Sequence, residues 1–204
     1  GTTVFADEWL EHPGTVGRAW PTSEIVILDD DDNELPAGQI GTVYMHMKTG
    51  DFEYFKDKQK TDHSRRGKFF TVGDVGYLDD DGWLFLSDRK NDMIISGGAN
   101  IYPAEIESVL LTHPSVADAA VFGIPHPDWG EQVKAVVQPV EMPADDAAAA
   151  ALASELIQFC RTELADVKCP RSIDFRTELP RHPTGKLYKR LLKDEYWKEA
   201  GRSI

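Results

Sequence analysis

A Gly-Lys pair lies in the stretch "LPRHPTGKLYKRLL" (179–192), just ahead of what reads as a final helix from about 186 to 199. Lys186 there could swing an ammonium onto a developing oxyanion, or could simply be solvated. A lysine at a helix start is disfavoured by the helix dipole, so its place does not serve helix stability. The stretch is no Walker loop, because G-x-x-x-x-G-K-[ST] requires Ser or Thr where Leu187 stands. A second candidate is Asp74 in "FFTVGDVGYLDDDGW" (69–83), between Gly73 and Gly76. A carboxylate with so little steric cover at a strand end can accept both hydroxyls of a ribose; a plain turn aspartate is the other reading. Arg89 follows in "SDRKNDMIISGGANIYPAEIE" (87–107), a permanent cation whose planar fork suits phosphate or ribose oxygens, or a surface arginine. Gly97 and Gly98 end a short apolar run, where glycine alone permits positive φ or a close approach by a ligand. A plain turn would have the same sequence. Trp129, in "GIPHPDWGEQ" (123–132), could pack on an adenine or an acyl carrier, or be a rim aromatic.

The elements that must position these residues are legible in outline. Residues 24–29, 42–47, 69–72 and 83–87 are β-branched or alternating runs, and "LDDDGW" (78–83) carries an Asp-Gly hairpin signal. The first 88 residues therefore read as short strands without a helix, which suggests a small barrel or curled sheet. After "SDRKND" the pattern changes. A strand at 93–96 precedes a helix opened by Pro103, with Ile106, Val109 and Leu110 on one face. Strands at 116–124 and 132–140 are joined too closely for a parallel crossover and are expected to pair antiparallel. An Ala-rich helix over 145–164, a strand at 172–175 and the final helix complete a β-α-β-β-α-β-α order. The expected class is α+β: an all-β distorted barrel portion over 1–90, then a small α+β lid domain with an antiparallel sheet over 91–204.

Composition narrows the functions. Net charge is -13, which argues against a duplex nucleic-acid binder, yet Lys168–Lys193 carries eight basic and two acidic residues. Such a basic island is either a solvated face or a local site for a small polyanion such as a nucleotide. None of the six His has metal-ligand spacing, and no metal site is expected in this chain. Neither a G-x-S-x-G elbow nor a strand-borne G-x-G-x-x-G occurs, so hydrolase and dehydrogenase readings lack support. Cys160 and Cys169 read as reduced thiols of a cytoplasmic protein. No apolar run approaches the ~20 residues of a membrane span, and "GTTVFADEWL" does not have the pattern of a signal peptide.

In order and spacing, "FTVGDVGYLDDDGWLFLSDRKNDMIISGGANIYPAEIE" and "PTGKLYKRLL" resemble the ribose-binding, hinge and C-terminal lysine motifs of the acyl-adenylate-forming superfamily. The resemblance covers nearly the whole chain. It implies an AMP-forming acyl-CoA synthetase, an acid-thiol ligase that makes acyl-AMP from a carboxylic acid and ATP with Mg2+, then a thioester with CoA. It implies Asp74 and Arg89 on the ribose or phosphate, Lys186 on the reacting carboxylate and α-phosphate, and Gly97 and Gly98 along the pantetheine path. Trp129 would approach the thiol partner, and Asn91 would be the hinge, a departure from the family's usual Asp or Lys. "GTTVF" resembles the residues after the family's Thr-Glu motif, and the family's phosphate loop and acyl pocket are not found. The chain is therefore expected to be a C-terminal fragment, inactive alone, whose partner is the remainder of the large N-terminal domain. The loop "TGDFEYFKDKQKT" (49–61) resembles bacterial fatty-acyl-CoA synthetases and leans toward a fatty acid. The alternatives are a non-catalytic lid module that recognises CoA or a carrier, and an adenylation domain acting on a carrier protein.

Overall fold

The computed structural model describes residues 1–50, 52–90 and 92–199. They form two compact units, divided between Asn91 and Asp92. The first contains β1 (Thr2–Thr3), α1 (Ala6–Glu11), β2 (Thr15–Ala19), β3 (Ser23–Leu28), β4 (Gly41–Met47), α2 (Lys58–His63), β5 (Arg65–Arg66), β6 (Phe69–Phe70), β7 (Asp74–Leu78) and β8 (Trp83–Arg89). All eight strands belong to one antiparallel sheet in the order β1-β2-β8-β7-β4-β6-β5, with β3 also paired to β4. Ile27, Val43 and Leu84 form its buried centre, against Val16, Ile25, Leu35 and Leu78. Among the described residues no pairing joins β1 to β5, so the sheet is an open path rather than the barrel portion expected. The two short helices were not anticipated. α1 buries no side chain, so it has no apolar periodicity to read, and α2 buries only Thr61.

The β7–β8 hairpin is built by local chemistry. Asp79 Oδ1 accepts from the backbone N–H groups of Asp81 (3.0 Å) and Trp83 (2.8 Å), and Gly82 turns the chain at φ +81°. The ladder shifts register between Val75 and Gly76. A Cβ on Gly76 would sit 2.2 Å from the Phe85 carbonyl oxygen, so only glycine lets the strands approach there.

The second unit contains β9 (Ile94–Ser96), β10 (Ala99–Ile101), α3 (Pro103–Leu110), β11 (Val116–His126), β12 (Gly130–Pro139), α4 (Asp146–Glu163), a 3-10 turn (Asp166–Lys168), β13 (Ser172–Phe175) and α5 (Lys189–Glu199). Its sheet runs β10-β9-β12-β11, with β13 beside β12. β11 and β12 pair antiparallel as expected, but β13 runs parallel to β12. The long α4 connection permits that crossover, which a short loop would not. β10 went unread because "ANI" is too short to show alternation.

Side chains alternate across this sheet. Ala119 and Val121 of β11 face a cluster with Ile106, Leu110, Leu156 and Cys160, under α3 and α4. Ala120 and Phe122 face the opposite cluster with Leu179 and Leu192, under α5. Lys134 lies on that second face, where its ammonium meets Asp174 Oδ1 at 2.6 Å and Tyr196 donates to Asp174 Oδ2 at 2.6 Å. Burial alone would raise the Asp174 carboxyl, but those two hydrogen bonds outweigh it and hold it below the usual carboxylate range. Burial likewise pushes the Cys160 thiol up to about 11, which fits a packing rather than a reactive thiol. No helix among the described residues is long and apolar enough to cross a membrane.

Gly76→Ala is expected to destabilise the protein by about 1–3 kcal/mol, because the added methyl must push two strands apart. Gly50→Ala, where an added Cβ meets nothing within 4 Å, is the matched control and should lie within about 0.5 kcal/mol of the parent. Urea unfolding followed by tryptophan fluorescence measures both; equal midpoints would show that the β7–β8 approach is not constrained at Gly76.

Candidate functional site

Asp74 opens β7 directly after Gly73, whose φ of +89° turns the chain into the strand. Asp74 and Arg89 are Cα partners across the β7–β8 ladder, so the two candidates of the first unit are brought side by side. Arg89 Nε stands 3.7 Å from Asp74 Oδ1, beyond hydrogen-bond distance. The carboxylate is about three-quarters buried, with its side chain 26% exposed, and among the described residues it accepts no hydrogen bond. It thus offers free lone pairs beside a cation. A vicinal diol is the natural guest, since both its hydroxyls can donate to one carboxylate. The backbone below is fixed, because the Lys90 N–H donates to the Gly73 carbonyl at 2.8 Å.

In the second unit Gly97 and Gly98 form the two-residue turn of the β9–β10 hairpin, at φ +56° and +84°. Positive φ at both central residues defines a type I′ turn, and a Cβ on either would meet nothing within 4 Å. The glycines thus leave open space over the turn. The Gly97 N–H donates to the Trp129 carbonyl at 3.0 Å, which joins the turn to the β11–β12 loop. The Trp129 ring stacks on His126 at 4.5 Å, and the Arg171 guanidinium lies 5.2 Å from its centroid. Sequence reasoning singled out Trp129 but missed His126 and Arg171. His126, three residues before the tryptophan, was a readable signal; Arg171, forty-two residues beyond it, was not.

Lys186 lies in neither strand nor helix. The final helix begins at Lys189, so the expectation of Lys186 as a helix-start residue is corrected: it sits three residues earlier, in a tight turn. Gly185 bends that turn at φ +84°, the His182 N–H donates to the Lys186 carbonyl at 2.8 Å, and Arg181 pairs with Leu187. Arg181 reaches the Gly185 carbonyl at 2.7 Å and also pairs with Asp118. His182 stacks on Tyr188 at 3.8 Å. The turn is thus braced on both flanks. The Lys186 side chain is exposed, and among the described residues it makes no ion pair. Leu187 packs on the second-face cluster, whereas the Gly97–Gly98 hairpin packs through Ile94 and Ile101 on the first. The structure therefore does not bring Lys186 together with the glycine turn. The hinge candidate Asn91 lies outside the described residues.

Residues 105–186 match the AMP-binding enzyme C-terminal domain. A long-chain fatty acid–CoA ligase of Mycobacterium tuberculosis is 35% identical over 196 residues, covering 96% of this chain and 37% of that protein. The chain belongs to the adenylate-forming, AMP-binding superfamily. A 2-succinylbenzoate–CoA ligase of Geobacillus kaustophilus is 41% identical over 193 residues, 94% of this chain and 38% of that protein. The o-succinylbenzoate CoA synthetase of Bacillus subtilis, solved with its acyl-adenylate intermediate, superposes with a TM-score of 0.82 at 34% identity, covering 95% of this chain and 38% of that one. The chain thus spans well under half the length of these AMP-forming relatives and corresponds to their C-terminal part.

Proposed function

We propose that this chain is the C-terminal part of an AMP-forming acyl-CoA synthetase working in the cytoplasm on a carboxylic acid, a fatty acid by preference. In the first step a substrate carboxylate oxygen attacks the α-phosphorus of ATP, and pyrophosphate leaves. In the second, the CoA thiol attacks the acyl carbon and AMP leaves. The observation that carries the reading is Lys186: an exposed cation without an ion pair among the described residues, on a turn braced at both flanks. A cation so held can meet negative charge that develops on the carboxylate and α-phosphate during adenylation.

The other residues take roles in keeping with their geometry. Asp74 accepts the ribose hydroxyls of the nucleotide, and Arg89 donates to the ribose or phosphate beside it. The open space over Gly97 and Gly98 admits the pantetheine arm, and Trp129 borders the same path. Residues 1–90 form part of the large adenylating domain and contribute their open antiparallel sheet to it. Residues 91–204 form the mobile domain, turning about Asn91. Among the described residues no group of three or more His, Cys, Asp or Glu could hold a metal ion. The Mg2+ that accompanies ATP would be bound by the rest of the enzyme. The fatty-acid preference rests on the 49–61 loop and on the long-chain ligase among the relatives.

In the full-length enzyme, Lys186→Ala should lower adenylation, read by pyrophosphate exchange, about 10²–10³-fold, by analogy with loss of an oxyanion donor. Thioester formation from supplied acyl-AMP should stay within a few-fold of the parent, because the charge it serves is already resolved. Equal losses in both steps would make Lys186 a structural residue. Asp74→Ala should weaken AMP binding by about tenfold or more, as expected for loss of charged hydrogen bonds, with the melting temperature unchanged. Calorimetric titration with unchanged affinity would remove the ribose assignment.

A further inference from the structure

Among the described residues β11 has no strand partner on the side away from β12, and side chains take up its outward backbone groups. The Val121 N–H donates to Glu107 Oε1 at 2.7 Å, and Trp197 Nε1 donates to the Gly123 carbonyl at 2.9 Å. Glu107 comes from α3, and its carboxylate serves a second purpose. Lys189 Nζ lies 2.8 Å from its Oε1 and 3.0 Å from its Oε2. Both side chains are mostly buried, 21% exposed for Lys189 and 14% for Glu107, so the pair is less screened than a surface ion pair.

Lys189 is the first residue of α5 and stands three residues after Lys186. Its position is unfavourable to the helix itself: a cation at the positive end, with no acidic residue in the first turn. The remaining anchors of α5 lie further along it. Leu192 is fully buried, Lys193 faces Glu131 at 3.6 Å, Glu195 pairs with Arg176, Tyr196 bonds Asp174, and Trp197 bonds Gly123. Those contacts keep the body of the helix docked without Lys189. Lys189 adds a side-chain anchor at the very start of the first turn, next to the short path back to Lys186. On that path Tyr188 is held by its N–H to the Pro180 carbonyl at 2.8 Å, and Leu187 by its pairing with Arg181.

We propose that Glu107 and Lys189 are positioning residues for Lys186: the carboxylate that caps the β11 edge also anchors the start of α5 and so sets where the Lys186 ammonium is presented. This rests on the reading of Lys186 as the adenylation lysine. Neither residue touches the reacting atoms; both act through the backbone of 186–189. Misplacing a reacting group by about 1 Å can cost as much as 10²-fold in rate, so a loosened first turn should be felt in adenylation alone.

The test uses the full-length enzyme with Lys189→Met, Lys189→Arg and Glu107→Gln, each also combined with Lys186→Ala. Glu107→Gln removes the charge but keeps an acceptor for Val121, and so serves if Lys189→Met folds poorly. Pyrophosphate exchange should show kcat for adenylation down about tenfold in Lys189→Met and Glu107→Gln, with the KM for ATP within about twofold. Thioester formation from acyl-AMP should hold within about twofold, and Lys189→Arg should recover most of the adenylation rate. In the Lys186→Ala background neither change should cost anything further, because the group being positioned is gone. An unchanged adenylation rate, an equal loss in both half-reactions, or the same loss with and without Lys186 would overturn the positioning role while leaving the assignment of Lys186 intact. If Lys186→Ala itself slows both half-reactions alike, that assignment falls and the positioning role falls with it.

Discussion

The β11–β12 ladder is the interaction on which the second unit depends. The two strands pair from Val116 to His126 against Pro139 to Gly130, and both faces of the pair are buried. Because side chains alternate, a slip of one residue would exchange Val121 and Phe122 between the two clusters and unseat everything packed on them. Local chemistry guards against that slip. A register shift sits between Val116 and Asp118, and a Cβ on Gly123 would lie 2.7 Å from the Glu131 carboxylate. From this ladder hang the two features given chemical roles. Its turn end carries Trp129, whose carbonyl holds Gly97; its second face seats Leu187 and thereby the Lys186 turn.

Polar contacts hold the second face where apolar area is short. Beneath α5 the core is small, with Ala120, Phe122, Val136, Leu179 and Leu192 fully buried. Around it run Lys134–Asp174–Tyr196, Lys189–Glu107 and Lys193–Glu131. Lys134 is buried and therefore needs its carboxylate, since an unpaired buried ammonium is costly. Ion pairs of this kind are directional, whereas hydrophobic burial is not, so they define where a helix start lies as well as whether it docks.

Much of this was legible in the sequence. The α3 start at Pro103, the antiparallel β11–β12 pair and the strand at 172–175 follow from a helix-opening proline, a short connection and an alternating polar–apolar run. The pairing of Asp74 with Arg89 was not legible as a contact, because register depends on the bulge beside Gly76. The start of α5 was misjudged by three residues. Lys189 is basic and begins a helix without local acidic support; its partner Glu107 is eighty-two positions earlier, where no local rule could find it. Of the two forms expected for the first unit, barrel or curled sheet, the structure has the open sheet; strand runs alone do not say whether a sheet closes.

The central claim is that one small domain serves two steps in turn. Leu187, next to Lys186, packs on one face of the sheet, and Ile94 and Ile101, which flank the Gly97–Gly98 turn, pack on the other, so on the proposed reading the two are presented to the reacting centre in turn. On that reading the domain rotates between the two steps, and the chain between the two units absorbs the change in φ and ψ. The most direct measurement is the pair of half-reactions in a full-length Asn91→Pro variant, since proline fixes φ near -65° and constrains the preceding residue as well. The account predicts that one half-reaction survives within about tenfold while the overall rate falls by a much larger factor. Wild-type rates in both steps would contradict it.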